Sequence, residues 1–166
     1  MKDMIYNQTK IPKDQWRYGL RSSAATGCGW IATYNALRLM GYYAKPENLI
    51  RYYERQLPLI HGNVGTTLYG PAICFKQWNF PVKIVYNRNQ YDEAAKTADA
   101  CILFYHWRNK WKIGAHFVAL HHTDQGFVGY NTFRSSKDAD YYGDSLHAFI
   151  EKRKFFGTAL IAIQKK

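Results

Sequence analysis

Apolar positions recur at helical spacing in the first half of the chain and alternate in the second. Ile31, Tyr34, Leu37 and Met40 form one stripe, and Gly41 follows where a left-handed residue closes a helix, so a buried helix is predicted with Cys28 in its first turn. Pro46 stands early in a second predicted helix, which carries Leu49, Ile50, Tyr53 and Leu57 on one face and stops before Pro58. The glycine-containing stretch 61–67 reads as a loop, with threonine capping a third helix over 68–78. Beyond it, 81–86 alternates as a strand, 90–97 is a short helix, and 100–107 is a second strand. Ile113-Gly114-Ala115-His116-Phe117-Val118-Ala119-Leu120 is a strand. It turns at Thr123-Asp124-Gln125-Gly126 into Phe127-Val128-Gly129-Tyr130-Asn131, an antiparallel hairpin. Residues 134–140 are polar loop, Asp144 or Ser145 caps a last helix, and 158–163 is a closing strand.

This pattern divides the chain into a mostly irregular N-terminal arm (1–25), a helical half (26–80) and a sheet-rich half (81–166). It predicts an α+β protein, and 166 residues suit one domain with a sizeable core. In the arm, Lys10-Ile11-Pro12-Lys13 breaks regular structure and Trp16-Arg17-Tyr18-Gly19 reads as an anchor or turn. No internal repeat is evident.

Composition narrows the class. An apolar fraction of 47% and an aromatic fraction of 17% are globular values that exclude general disorder, and the 14 tyrosines suit the rim of a core. No run approaches the ~18 apolar residues of a membrane span, and the N-terminus lacks the apolar block of a signal peptide. The expectation is a soluble, cytoplasmic protein.

The net charge of +11 could steer an acidic partner, but only Lys152-Arg153-Lys154 and Lys165-Lys166 are dense runs. A solvated basic face is therefore expected, without clear nucleic-acid or membrane binding. The basic, aromatic turn Arg108-Asn109-Lys110-Trp111-Lys112 is read chiefly as an exposed hairpin tip and, second, as a substrate contact.

Cys74 and Cys101 lie in apolar runs and read as core residues. Three widely spaced cysteines indicate neither a disulfide framework nor a zinc site, and suggest a reducing compartment. His61, His106, His121, His122 and His147 lack metal-ligand spacing, and Gly62-Asn63-Val64-Gly65 lacks the lysine of a phosphate-binding loop. No metal or cofactor is expected.

Cys28 differs from the other thiols. Unpaired N–H groups and the positive end of the dipole at a helix start favour a thiolate, and Gly27 and Gly29 allow close approach. His116 is a matching base on a strand, and the hairpin can bring Asn131 near it as an orienting amide.

Cys-Gly-Trp opening a helix, Gly-Ala-His-Phe-Val-Ala-Leu on a strand and Gly-Tyr-Asn closing its hairpin resemble the papain-like cysteine peptidases, most closely the bacterial leader peptidases that process bacteriocin precursors. The resemblance runs from about residue 15 to the C-terminus. It implies a papain-like fold with a cleft between the two halves, Cys28 as nucleophile, His116 as general base, Asn131 as the orienting residue, and a peptide or protein substrate. That family carries glutamine six residues before the nucleophile to donate to the oxyanion. Here Ser22 occupies the position, a shorter donor, and Gln15 lies further upstream. Losing one such donor costs about a hundredfold in rate. Three functions follow as alternatives: a cysteine hydrolase acting through a thioester acyl-enzyme; a catalytically silent module that binds peptide in the same cleft; and an acyltransferase, deamidase or toxin using the same three residues.

Overall fold

The computed structural model describes residues 3–56, 58–59 and 65–166. The readings placed on Leu57 and on residues 61–64 lie outside them. The arm contains a 3-10 turn at Gln8–Lys10 and leads through a small hairpin, β1 (Arg17–Tyr18) and β2 (Arg21–Ser22), into the short helix α1 (Ser23–Thr26). Gly27 joins α1 to α2 (Cys28–Leu39). Next come α3 (Pro46–Gln56), β3 (Pro58–Leu59), β4 (Gly65–Thr66) and α4 (Gly70–Gln77), then β5 (Val82–Val85), α5 (Tyr91–Thr97), β6 (Ala100–Arg108), β7 (Ile113–Thr123), β8 (Gly126–Tyr130), β9 (Asp140–Gly143), α6 (Leu146–Lys152) and β10 (Phe156–Ile163). Six of these strands form one antiparallel sheet in the order β5-β10-β6-β7-β8-β9.

Both faces of the sheet are covered, which is why β6 reads as a nearly continuous apolar run. Side chains alternate between faces along a strand. Ile102 and Phe104 of β6, Phe117 and Ala119 of β7, and Ile161 and Ile163 of β10 therefore pack with α2, α3 and α4. Cys101, Leu103, Tyr105, Val118, Leu120 and Leu160 pack on the opposite side against Tyr91 of α5 and Leu146, Phe149 and Ile150 of α6. Cys74 and Cys101 are buried core thiols.

Helix α2 lies in the first of these layers and is buried continuously from Gly29 to Leu37. Such depth obliges its polar residues to find partners. Asn35 does so with the arm, accepting from the Ile5 N–H at 3.0 Å and donating to the Ile5 carbonyl at 2.8 Å. Gly41 takes φ +83° just beyond the helix, in open space.

Several elements depart from the pattern. Threonine does not cap the third helix: Thr66 pairs with Pro58 in β4, and α4 begins later, after Tyr69, with proline in its first turn. Ser145 is the cap of α6, accepting from the Ala148 N–H at 3.2 Å. Asp92 of α5 supports the same end, its carboxylate accepting from the Leu146 N–H at 2.6 Å. Strand β9 begins at Asp140, the last residue of the stretch read as loop, and runs on to Gly143 ahead of the last helix; its pairing is supplied by β8 across a shifted register rather than by its own alternation.

One mismatch in strand length matters for the site. β8 pairs with β7 only from Ala119 to Thr123, so residues 113–118 of β7 extend beyond the end of β8 and leave that edge unpaired by it.

Candidate active site

Cys28 opens α2 at a tightly packed junction. A Cβ on Gly27 would lie 2.6 Å from the Ser23 carbonyl oxygen and 2.7 Å from Trp30 Nε1, and one on Gly29 would lie 2.6 Å from Thr66 Oγ1. At Gly29 the close neighbour is the protein's own Thr66, so both glycines are required by packing. Thr66 is held in turn by the fully buried Tyr18, whose hydroxyl lies 3.1 Å from Thr66 Oγ1 and 3.4 Å from the Gly65 carbonyl oxygen.

The Cys28 thiol is half-buried, unlike the other two cysteines. Burial pushes its pKa up from 9.0 to about 11, against the pull of the N–H groups of Phe117, Gly29 and Cys28 itself. The helix-start amides expected to favour a thiolate do bear on the sulfur. Loss of solvation outweighs them, and the thiol form is the resting one.

His116 stands on the part of β7 that runs past β8. Its Nε2 is 2.6 Å from the main-chain carbonyl oxygen of Asn131. A carbonyl can only accept, so in the neutral ring Nε2 carries the proton and Nδ1 keeps a free lone pair. Burial lowers the imidazole pKa, and the Asn131 carbonyl partly opposes that shift.

Tyr105, opposite His116 in the β6–β7 register, presents its ring edge-on at 5.8 Å and donates through its hydroxyl to the Thr132 carbonyl at 3.4 Å. Burial raises the Tyr105 pKa, with a further contribution from Cys28. Tyr105 is thus a neighbour of both the imidazole and the thiol, and the amide bearing on the sulfur belongs to Phe117, the residue after His116. Among the described residues, no hydrogen bond joins the Cys28 sulfur to the His116 ring itself.

Asn131 meets His116 through a different atom from the one its residue type suggests. It follows the end of β8 with φ +66°, a conformation that asparagine tolerates better than most residues. The main chain turns its carbonyl toward the imidazole. The side-chain amide is engaged by Gln8: Oδ1 accepts from the Gln8 N–H at 2.7 Å, and Nδ2 donates to Gln8 Oε1 at 2.9 Å.

Ser22 is half-buried at the N-cap of α1 but makes no side-chain capping bond. Gln15 is exposed in a turn closed by its own N–H to the Pro12 carbonyl, and it borders a groove with Met4, Ile5 and Lys137. Gln8, Tyr105 and Thr66, which adjoin Asn131, His116 and Gly29, are neighbours that sequence reading does not single out. Gln8 lies in a polar stretch of the arm that resembles solvated coil, Tyr105 in an apolar run, and Thr66 in what reads as a helix cap. Only the apolar spacing of Tyr105 on a strand opposite His116 offered any signal.

The tip between β6 and β7 is an exposed turn in which Asn109 Oδ1 accepts from the N–H groups of Trp111 and Lys112. Arg108, Asn109 and Lys110 border a groove with Lys154 and Phe156. Among the described residues there is no group of three histidine, cysteine or acidic side chains placed to hold a metal, and no helix is long and apolar enough to cross a membrane.

No family model matches the chain, and no curated protein does. Among solved structures it is similar to the peptidase domain of Streptococcus ComA, a bi-functional ABC transporter involved in a quorum-sensing pathway. The TM-score is 0.54 at 14% identity, covering 84% of this chain and 93% of that one. At that identity the likeness is one of fold: this chain is an α+β protein with the fold of a papain-like peptidase domain.

Proposed function

We propose that the protein is a papain-like cysteine hydrolase that cleaves a peptide or related amide bond, with Cys28 as nucleophile, His116 as general base, and Asn131 holding the imidazole through its main-chain carbonyl. The observation that carries this reading is the 2.6 Å contact between Asn131 O and His116 Nε2, which leaves Nδ1 as the basic nitrogen of the ring, with the half-buried Cys28 at a helix start as the nucleophile it would serve.

With the thiol raised and the imidazole lowered, the two rest as a neutral pair. The proton moves to Nδ1 as the sulfur attacks the carbonyl carbon, giving a tetrahedral adduct and an imidazolium. The adduct's oxyanion is stabilised by the Cys28 N–H, with the Ser22 hydroxyl as the candidate second donor. Collapse breaks the C–N bond, and the imidazolium gives its proton to the leaving amine, which leaves a thioester. Water then loses a proton to Nδ1 and attacks the thioester, releasing the acid. The sulfur regains the proton.

A peptide-binding module without turnover is the second reading, favoured by the raised Cys28 thiol and by serine in the position of the family's glutamine. Intact-mass measurement after mixing with an activated ester separates the two. The hydrolase gains one acyl group that Cys28→Ala and His116→Ala do not gain, and it releases that group on standing. An unmodified wild-type protein that binds peptide as tightly as Cys28→Ala would establish the module instead.

A further inference from the structure

We infer that Gln8, in the N-terminal arm, is a positioning residue that sets the tautomer of His116 by fixing Asn131. This rests on the reading of His116 as the base for Cys28, and extends the machinery to a segment that precedes the core helices.

Gln8 and Asn131 are 123 residues apart and both are buried, at 9% and 3% exposure. The Gln8 main-chain N–H and side-chain Oε1 grip the two ends of the Asn131 amide, at 2.7 and 2.9 Å. A side chain held at both ends cannot rotate, and this one fixes a residue whose φ of +66° is costly away from glycine. The direction of the Asn131 carbonyl, and with it the proton on His116 Nε2, follows from that grip. The other polar atom of the Gln8 side chain, Nε2, donates to the Ala24 carbonyl at 3.1 Å, in the helix that leads to Cys28. One glutamine therefore ties the approach to the thiol to the residue that holds the imidazole.

The arm is itself anchored on either side of this point. Asn7 Nδ2 donates to the Arg134 and Ser136 carbonyls at 2.7 and 3.0 Å, and Ile5 pairs with Asn35 of α2. Gln8 is thus backed by bonds to both parts of the fold, the arrangement needed to hold a catalytic group within a fraction of an ångström.

The test combines a readout of the ring with a readout of the reaction. Long-range 1H–15N spectra of the full chain report which His116 nitrogen carries the proton. Wild type should show the Nε2–H form, and Gln8→Ala a mixture of the two. Against an activated ester, Gln8→Ala should lose about tenfold to a hundredfold in kcat with KM within about twofold, the scale of a misplaced reacting group. Asn131→Gly provides a second route, because glycine accepts the left-handed backbone and so favours folding while removing both bonds to Gln8. It should show the same tautomer mixture. Gln8→Glu, which keeps the main-chain donor and an acceptor for Asn131 Nδ2, should restore the Nε2–H form.

A single Nε2–H form with wild-type kcat in Gln8→Ala, or a single Nε2–H form in Asn131→Gly, would overturn the assignment. If wild type shows no turnover while Gln8→Ala still mixes the tautomers, the positioning role stands and the hydrolase reading is the one that fails.

Discussion

Asn131 presents its main-chain carbonyl, not its amide, to His116, with 2.6 Å between the oxygen and Nε2. The acceptor is a backbone atom. It carries no ionisable group, so the imidazole pKa is governed mainly by burial, which lowers it.

The direction of that shift predicts an acid limb in stability. Below the ordinary histidine value of 6.5 the unfolded chain takes up a proton more readily than the folded one. The contribution of His116 is thus fully present above pH 6.5 and is lost as pH falls through its lower folded value. Thermal melts of wild type and His116→Gln across pH 4.5–8 should converge toward the acid end of that range. Equal pH dependence in the two would contradict the shift.

Cys28 predicts the alkaline limb with the opposite sign. Its folded pKa of about 11 lies above the ordinary 9.0, so its contribution to stability is complete below pH 9.0 and declines as pH rises toward 11. The same shift governs reactivity with iodoacetamide, which attacks thiolate. Cys28 should be labelled in preference to the buried Cys74 and Cys101. Its rate should climb about tenfold per pH unit from 7 to 10, with no plateau near neutrality. A rate independent of pH across that interval would mean a thiolate already formed.

Packing at the helix start predicts that Gly29→Ala is destabilising. Its Cβ would approach Thr66 Oγ1 to 2.6 Å and Thr66 Cβ to 2.7 Å, and Thr66 is pinned by Tyr18. Overpacking of this kind costs about 1–3 kcal/mol. Thr66→Ala removes the obstructing atoms Oγ1 and Cγ2, so the double variant should recover part of the loss in a denaturant titration. Purely additive losses would place the strain elsewhere.

Asp92 predicts a link between two helices that sequence separation hides. Its Oδ1 accepts from the N–H of Leu146 at 2.6 Å and its Oδ2 from the Ser145 hydroxyl at 2.6 Å, closing the first turn of α6 from α5. Asp92→Ala should cost about 1–2 kcal/mol, the scale of a lost cap. Hydrogen exchange should quicken at the start of α6 while α2 is unaffected.

Much of this arrangement is legible in the chain, residue by residue. The Ile31, Tyr34, Leu37 and Met40 stripe locates α2, and Gly41 ends it. Alternation around His116 places it on a strand, and Thr123–Gly126 turns that strand into a hairpin with β8. The irregular arm is harder to read: Gln8 sits among polar residues with no periodicity, and nothing local marks it as buried. Strand β9 is missed because an edge strand takes its register from its neighbour. Thr66 reads as a cap because that role is local, whereas its pairing in β4 and its contact with Tyr18 are not.

The amino-acid sequence by itself determined the elements that periodicity and turn chemistry specify, and with them a thiol at the head of a buried helix and an imidazole on a strand. Those are properties of neighbours a few residues apart. Only the tertiary structure decided which atom of Asn131 faces His116, that Gln8 holds it from 123 positions away, and that burial raises the Cys28 thiol despite the amides around it. Backbone direction after a strand end, and the solvation lost by a sulfur, depend on what the rest of the chain packs against them.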